Sequence, residues 1–146
     1  MEKTENRIII ERRIAFSQTD AAGLIHFTTY FTLMEEAEAK LFRNLGIPLL
    51  ENKPGIISGF PRVDCQCKFR KPLRFDDLVR IELGITKIGA NRIHYEIRFY
   101  APSGDLCAEG TMITAYVSGQ PDGPLRASKL PDQICEALNL WKNQPS

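Results

Sequence analysis

The 146-residue chain has little net charge: nineteen Lys and Arg against eighteen Asp and Glu leave a formal +1. A domain that grips nucleic-acid phosphates carries a basic surplus, so the electrostatic footprint of that class is missing. Long apolar runs are also missing. None approaches the roughly 18 residues that cross a bilayer, and no membrane partner is expected. Histidine is scarce, with two in the chain, and cysteine is limited to Cys65, Cys67, Cys107 and Cys135. A metal centre needs more ligands close together than this, so no metal is expected and the thiols are expected to pack as small buried hydrophobes. The opening residues 1–6 are polar and do not form a signal peptide, which points to reduced thiols in a cytoplasm. No G-x-S-x-G elbow is present for a serine hydrolase. Repeats, low-complexity tracts and linkers are absent, and 43% hydrophobic content suits one globular domain over residues 1–146.

What is there changes its period along the chain. Residues 7–16 (RIIIERRIAF) are isoleucine-rich and read as a strand, and residues 17–25 as a loop. From Phe27 to Leu45, apolar Phe27, Tyr30, Phe31, Met34, Ala37, Leu41, Phe42 and Leu45 recur at helical spacing. Glu35, Glu36, Glu38, Lys40 and Arg43 fall largely between them. Gly46 suits the left-handed position that ends a helix, and Pro48 prevents continuation. Such a helix is about 28 Å long at ~1.5 Å per residue, and it is the only long one.

Residues 49–59 hold Pro54, Gly55 and Gly59 and read as irregular. The period then becomes two. Val63, Cys65, Cys67 and Phe69, then Val79, Ile81, Leu83 and Ile85, then Ile93, Tyr95, Ile97 and Phe99 alternate with mostly polar residues. Three antiparallel-type strands are expected, each with one buried face. Residues 106–117 form a further strand, covered on both faces or bulged at Gly110. Residues 121–124 read as a loop, and residues 130–141 as a short helix starting near Pro131. The order predicts an α+β layer: one amphipathic helix across the concave side of a five-stranded antiparallel sheet.

The chemistry-bearing stretch joins the first strand to the long helix: Gln18-Thr19-Asp20-Ala21-Ala22-Gly23-Leu24-Ile25-His26-Phe27. A carboxylate in a small-residue turn is followed by a helix start, whose orphan N–H groups and dipole can draw charge onto a carbonyl oxygen. Asp20 reads either as a plain turn or cap residue or as a base or nucleophile beside such a carbonyl. His26 reads either as a hydrogen-bonded structural histidine or as part of that site.

This stretch, with Phe16, Tyr30 and Glu35-Glu36-Ala37, resembles the opening of the hot-dog-fold acyl-CoA thioesterases, nearest to the 4-hydroxybenzoyl-CoA thioesterase-like branch. The likeness continues through residues 63–73, Phe75-Asp76-Asp77 and Leu125-Arg126-Ala127, from about Ile10 to Leu138. The resemblance implies a hot-dog fold: a five-stranded sheet wrapped around the long helix, with a short C-terminal helix. It implies that Asp20 is the catalytic nucleophile or general base, that the Phe27 N–H polarises the thioester carbonyl, and that Gly23 lets the turn approach the substrate.

His26 sits where relatives often carry an aromatic residue or histidine. Thr28 and Tyr30 are assigned to substrate contact, Tyr30 reading otherwise as helix core. Coenzyme A phosphates call for a local basic site. Lys87, Gly89, Asn91 and Arg92 match the family's nucleotide-binding region, and the second candidate is Lys68, Arg70, Lys71 and Arg74. Coenzyme A is part of the substrate, and no cofactor is implied. Members of the family are dimers or tetramers with sites at subunit interfaces, so a homotetramer or dimer is expected.

Two other readings stay open, a thioesterase acting on acyl-carrier protein and a non-catalytic acyl-CoA-binding domain, the retained Asp20 arguing mildly against the latter; the spacing argues against a third, a hydratase. The hydratase pattern puts histidine five residues after the aspartate with an asparagine between. Here His26 is six after Asp20, and Ala22 stands in for the asparagine.

Overall fold

A computed structural model describes residues 6–145, so most of the polar opening lies outside the described residues. The chain runs β1 (Ile8–Arg13), a single 3-10 turn (Phe16–Gln18), α1 (Phe27–Leu45), β2 (Glu51–Lys53), β3 (Ile56–Gly59) and β4 (Arg62–Phe69). It continues with β5 (Leu78–Ile88), β6 (Arg92–Tyr100), β7 (Leu106–Ala115), β8 (Val117–Gly119), β9 (Arg126–Ala127) and α2 (Asp132–Lys142). The main sheet is antiparallel with strand order β1-β5-β6-β7-β4.

Helix α1 spans the predicted residues. It ends at Gly46, which adopts φ 67° and donates to the carbonyl of Arg43, while Ile47 donates to that of Phe42. Tyr30, Leu33, Met34, Ala37, Leu41 and Phe42 are buried against Val79, Ile81 and Leu83 of β5 and Ile93, Tyr95, Ile97 and Phe99 of β6. The period-two faces of β5 and β6 are therefore buried as expected. α2 seals one end of the core with Ile134, Leu138 and Trp141.

Gly110 sits in regular register opposite Cys67 on one side and Ile97 on the other, so the bulge considered there does not form. It is glycine because α1 needs the room. A Cβ at that position would lie 2.4 Å from Met34 Cε and 2.6 Å from the Gln66 carbonyl. The register shifts occur elsewhere, between Ile85 and Lys87, between Arg62 and Asp64, and between Phe99 and Tyr100.

Three expectations are corrected. Residues 49–59 are not irregular throughout. β2 and β3 form a small four-stranded antiparallel sheet with β8 and β9, on either side of the loop at residues 121–124. These strands are two to four residues long, too short to establish a period, and they are joined by distant pairing. Second, β4 has no buried face within the chain. Val63 is 47% and Phe69 54% exposed, Cys65 is exposed and Cys67 half-buried, because α1 packs chiefly over β5 and β1 and leaves β4 at the far edge without a cover. Of the four thiols only Cys107 is fully buried.

Third, Glu38 points inward. Its carboxylate is fully buried and accepts a 2.6 Å bond from Arg62 Nη2, with Tyr95 beside it. Burial pushes the Glu38 carboxyl above its ordinary value, with Arg62 pulling it back down. The pair ties α1 to the start of β4.

Gly110→Ala should lose about 1–3 kcal/mol in a denaturant titration, because neither the sheet backbone nor the buried methionine can yield freely. Arg62→Ala should cost about 3 kcal/mol at neutral pH by stranding the buried carboxylate. Glu38's folded value is raised, so its stabilising contribution is complete below the ordinary carboxylate range and is lost as pH rises through the raised value. Arg62→Ala should therefore recover part of its lost Tm on acidification from pH 7 to 5. A deficit constant over that range would overturn this account.

Candidate active site

The stretch from Phe16 to His26 forms a compact turn whose shape comes from its own backbone and from Asp20. The Asp20 N–H donates to the Leu24 carbonyl at 2.8 Å, and Gly23 N–H returns to the Asp20 carbonyl at 3.0 Å. Gly23 holds φ 77°, a left-handed value that side chains resist, which is why glycine stands there. Asp20 Oδ1 accepts from the backbone N–H of Ala22 at 2.8 Å and of Leu24 at 3.2 Å. Oδ2 accepts no bond from any described residue. One carboxylate oxygen thus fixes the side chain and leaves the other available.

The same turn delivers the start of α1. His26 is the N-cap: Nδ1 accepts from Thr28 N–H at 3.3 Å and lies 2.7 Å from Thr28 Oγ1, with the ring stacked on Phe27. The structural reading of His26 is therefore satisfied, while the ring stays exposed at the site. Thr28 is the cap's partner. The N–H of Phe27, first in the helix, meets no protein acceptor among the described residues.

Asp20, His26, Phe27 and Tyr30 border one cavity of about 520 Å³, with Leu24, Ile25, Phe69, Arg70, Lys71, Pro72 and Leu73 making the rest of its wall. Leu24, Ile25, Pro72 and Leu73 carried no chemical signal in the sequence, and only the pairing of residues 23–25 with residues 73–75 brings them here. Of the apolar residues considered for an acyl pocket, Phe27, Tyr30 and Phe69 line the cavity. Met34 is fully buried beneath Gly110, and Phe31 packs on the core.

Tyr30 is both core and wall, edge-on to Phe69 at 4.9 Å and Phe99 at 5.1 Å. Burial, with Cys67 and Cys107 nearby, pushes its hydroxyl up to about 12, so it faces the cavity as a neutral phenol. Burial likewise pushes the Cys67 thiol up to about 11 and leaves it a poor nucleophile.

Two cations reach this wall. Arg70 closes on Glu109, whose carboxyl it holds below the ordinary value, and Lys71 lies 3.3 Å from Asp105. Lys87, Gly89, Asn91 and Arg92 do not line the cavity. Their turn is held to the C-terminal segment instead: Asn91 accepts from Tyr116 N–H at 2.7 Å, and Ala90 from Leu130 N–H at 2.8 Å. Glu36 faces away and pairs with Arg12 at 2.9 Å. Glu35 is exposed.

The profile of the thioesterase-like superfamily matches residues 14–138. A 1,4-dihydroxy-2-naphthoyl-CoA hydrolase of Prochlorococcus marinus subsp. pastoris is 30% identical, with 97% of each chain aligned. Among solved structures, a 1,4-dihydroxy-2-naphthoyl-CoA thioesterase from Synechocystis superposes with TM-score 0.78 at 20% identity, covering 91% of this chain and 96% of that one. A 4-hydroxybenzoyl-CoA thioesterase variant complexed with 4-hydroxybenzoyl-CoA superposes with TM-score 0.75 at 22% identity, covering 91% and 98%. These superpositions speak for a shared fold.

His26→Ala removes a cap and a stacking partner, not the carboxylate. It should cost about 1 kcal/mol in thermal unfolding and less turnover than Asp20→Asn. The reverse order of turnover would make His26 the central residue.

Proposed function

This chain belongs to the thioesterase-like superfamily and is a thioester hydrolase, and we propose that it hydrolyses acyl-coenzyme A in the cavity beside the N-terminus of α1. The observation that carries this reading is one wall bearing both halves of the chemistry: the free oxygen of the Asp20 carboxylate and the unclaimed N–H of Phe27.

The thioester carbonyl oxygen accepts from the Phe27 N–H, and the helix dipole stabilises the negative charge that grows on it. Asp20 then works in one of two ways. As general base it takes a proton from water, which adds to the carbonyl carbon. As nucleophile it adds directly and forms a mixed anhydride that water cleaves. Both routes expel coenzyme A thiolate, a leaving group good enough to need no strong acid, and end in the free carboxylic acid. The reaction uses no cofactor beyond the coenzyme A of the substrate.

Tyr30, Phe27 and Phe69 offer aromatic surface to the acyl group, and Thr28 steadies the cap beside it. An aromatic acyl group, of the kind named for the Prochlorococcus and Synechocystis relatives, fits such walls. For the nucleotide phosphates, Arg70 and Lys71 are the cations on the wall, their exposed acid partners being easily exchanged. Lys87, Gly89, Asn91 and Arg92 lie away from this cavity, so a phosphate-binding role for them requires the ligand of a second copy. Self-association as a dimer or tetramer is supported by the open edge of β4 and its exposed Val63 and Phe69. No helix among the described residues is long and apolar enough to cross a membrane. A cytoplasmic location is part of the proposal.

The test is thiol release from short, medium, long and aromatic acyl-CoAs by wild type and Asp20→Asn. Turnover in the variant should fall by about three orders of magnitude with Tm little changed, since a loop substitution removes no core volume. Release that ignores the substitution would remove Asp20 from the mechanism. No release by a folded wild type would turn the reading toward a carrier-protein substrate, and then toward a binding domain.

A further inference from the structure

We propose that Asp77 is a positioning residue for Asp20, acting through the backbone segment that clamps the catalytic turn. The inference rests on the thioesterase reading above. The turn's own bonds fix the Asp20 side chain within it, and bonds to residues outside must fix the turn on the fold. Four backbone hydrogen bonds do so, all to residues 73–77. Ile14 N–H donates to the Asp77 carbonyl at 2.9 Å and Asp76 N–H to Ile14 at 2.9 Å; Phe75 N–H donates to Gly23 at 3.0 Å and Ile25 N–H to Leu73 at 2.8 Å. Two of these flank Asp20's own ring of bonds at Gly23 and Ile25. The other two fix where the chain leaves β1.

The clamp has to be bent to meet the turn at both ends, and Asp77 bends it. Its Oδ2 accepts from Arg74 N–H at 2.9 Å, while its N–H donates to the Arg74 carbonyl at 3.2 Å, closing residues 74–77 into a turn. Inside that turn Asp76 is held at φ 69°, the one non-glycine residue with positive φ among the described residues. A left-handed aspartate costs free energy and persists only where its surroundings impose it. The Asp77 carboxylate and the Arg13 guanidinium, which donates to the Asp76 carbonyl at 2.8 Å, impose it together with the backbone bonds of Asp76 N–H to Ile14 and Asp77 N–H to Arg74. Phe16 against Phe75, ring centres 5.7 Å apart, adds a side-chain contact between turn and clamp. Asp77 does not line the cavity, so its effect on the chemistry passes through Phe75 N–H and Gly23 to the placement of Asp20.

What matters in this role is an oxygen acceptor at the position of Oδ2, not its charge. Asp77→Asn should keep kcat within about threefold of wild type. Asp77→Glu, which moves the acceptor by one methylene, and Asp77→Ala, which deletes it, should lower kcat about tenfold or more with KM within about threefold. In an Asp20→Asn background, Asp77→Ala should produce no further loss of kcat, because there is no carboxylate left to place. Wild-type kcat in both Asp77→Glu and Asp77→Ala, a charge-dependent pattern with Glu active and Asn impaired, or losses that add to Asp20→Asn would each overturn the inference. If Asp77→Ala does not fold, the Asn and Glu pair decides alone. A wild type that releases no thiol from any acyl-CoA would instead defeat the thioesterase reading itself.

Discussion

Helix α1 can bury its apolar face against the sheet in one seating, and the position of its N-terminus follows from that seating. Met34 closes on Gly110 of β7, Glu38 takes Arg62 from β4, and Lys40 Nζ donates to the Ile9 carbonyl of β1 at 2.8 Å. Close packing leaves little room for sliding or rotation, and the buried Thr29 and Tyr30 tie the first turn to that seating. A carbonyl set against the Phe27 N–H would meet a donor that need not reorganise as charge develops, the condition under which such donors are most effective.

The carboxylate is held differently. Asp20 lies in an exposed turn, where packing is limited to Ile25 and the Phe16–Phe75 contact, and its placement depends mainly on hydrogen bonds. Oδ1 is committed to Ala22 and Leu24, and the turn is in turn clamped by residues 73–77. The site thus joins one group fixed by the core to another fixed by a backbone lattice. A loosely held turn would cost rate even with every site residue present.

Burial also divides the titratable groups by task. Glu38 is fully buried, is paired to Arg62 and serves the seating of the helix. Burial raises the Tyr30 hydroxyl and the Cys67 thiol still further above physiological pH, so both stay protonated and serve packing. Asp20 itself is exposed and free of cationic partners among the described residues, and its second oxygen stays open to a water or a thioester.

The sequence by itself determined the long helix to the residue, its glycine stop, the buried faces of β5 and β6, and the turn that carries Asp20. Each is written in local period or in one conformational demand: helical spacing, alternation, and glycine where φ must be positive. Tertiary structure alone decided the rest. β4 alternates like its neighbours, yet it ends the sheet and buries neither face, because alternation reports a strand's pleat and not its place in the order. Glu38 looks like a surface residue until Arg62, 24 positions away, meets it. Arg70, Lys71 and Leu73 join Asp20 at one wall, whereas the Lys87–Arg92 turn does not, since each placement depends on pairing between distant segments. Such pairings gain their free energy from contacts across the fold and leave no periodic trace in the chain that makes them.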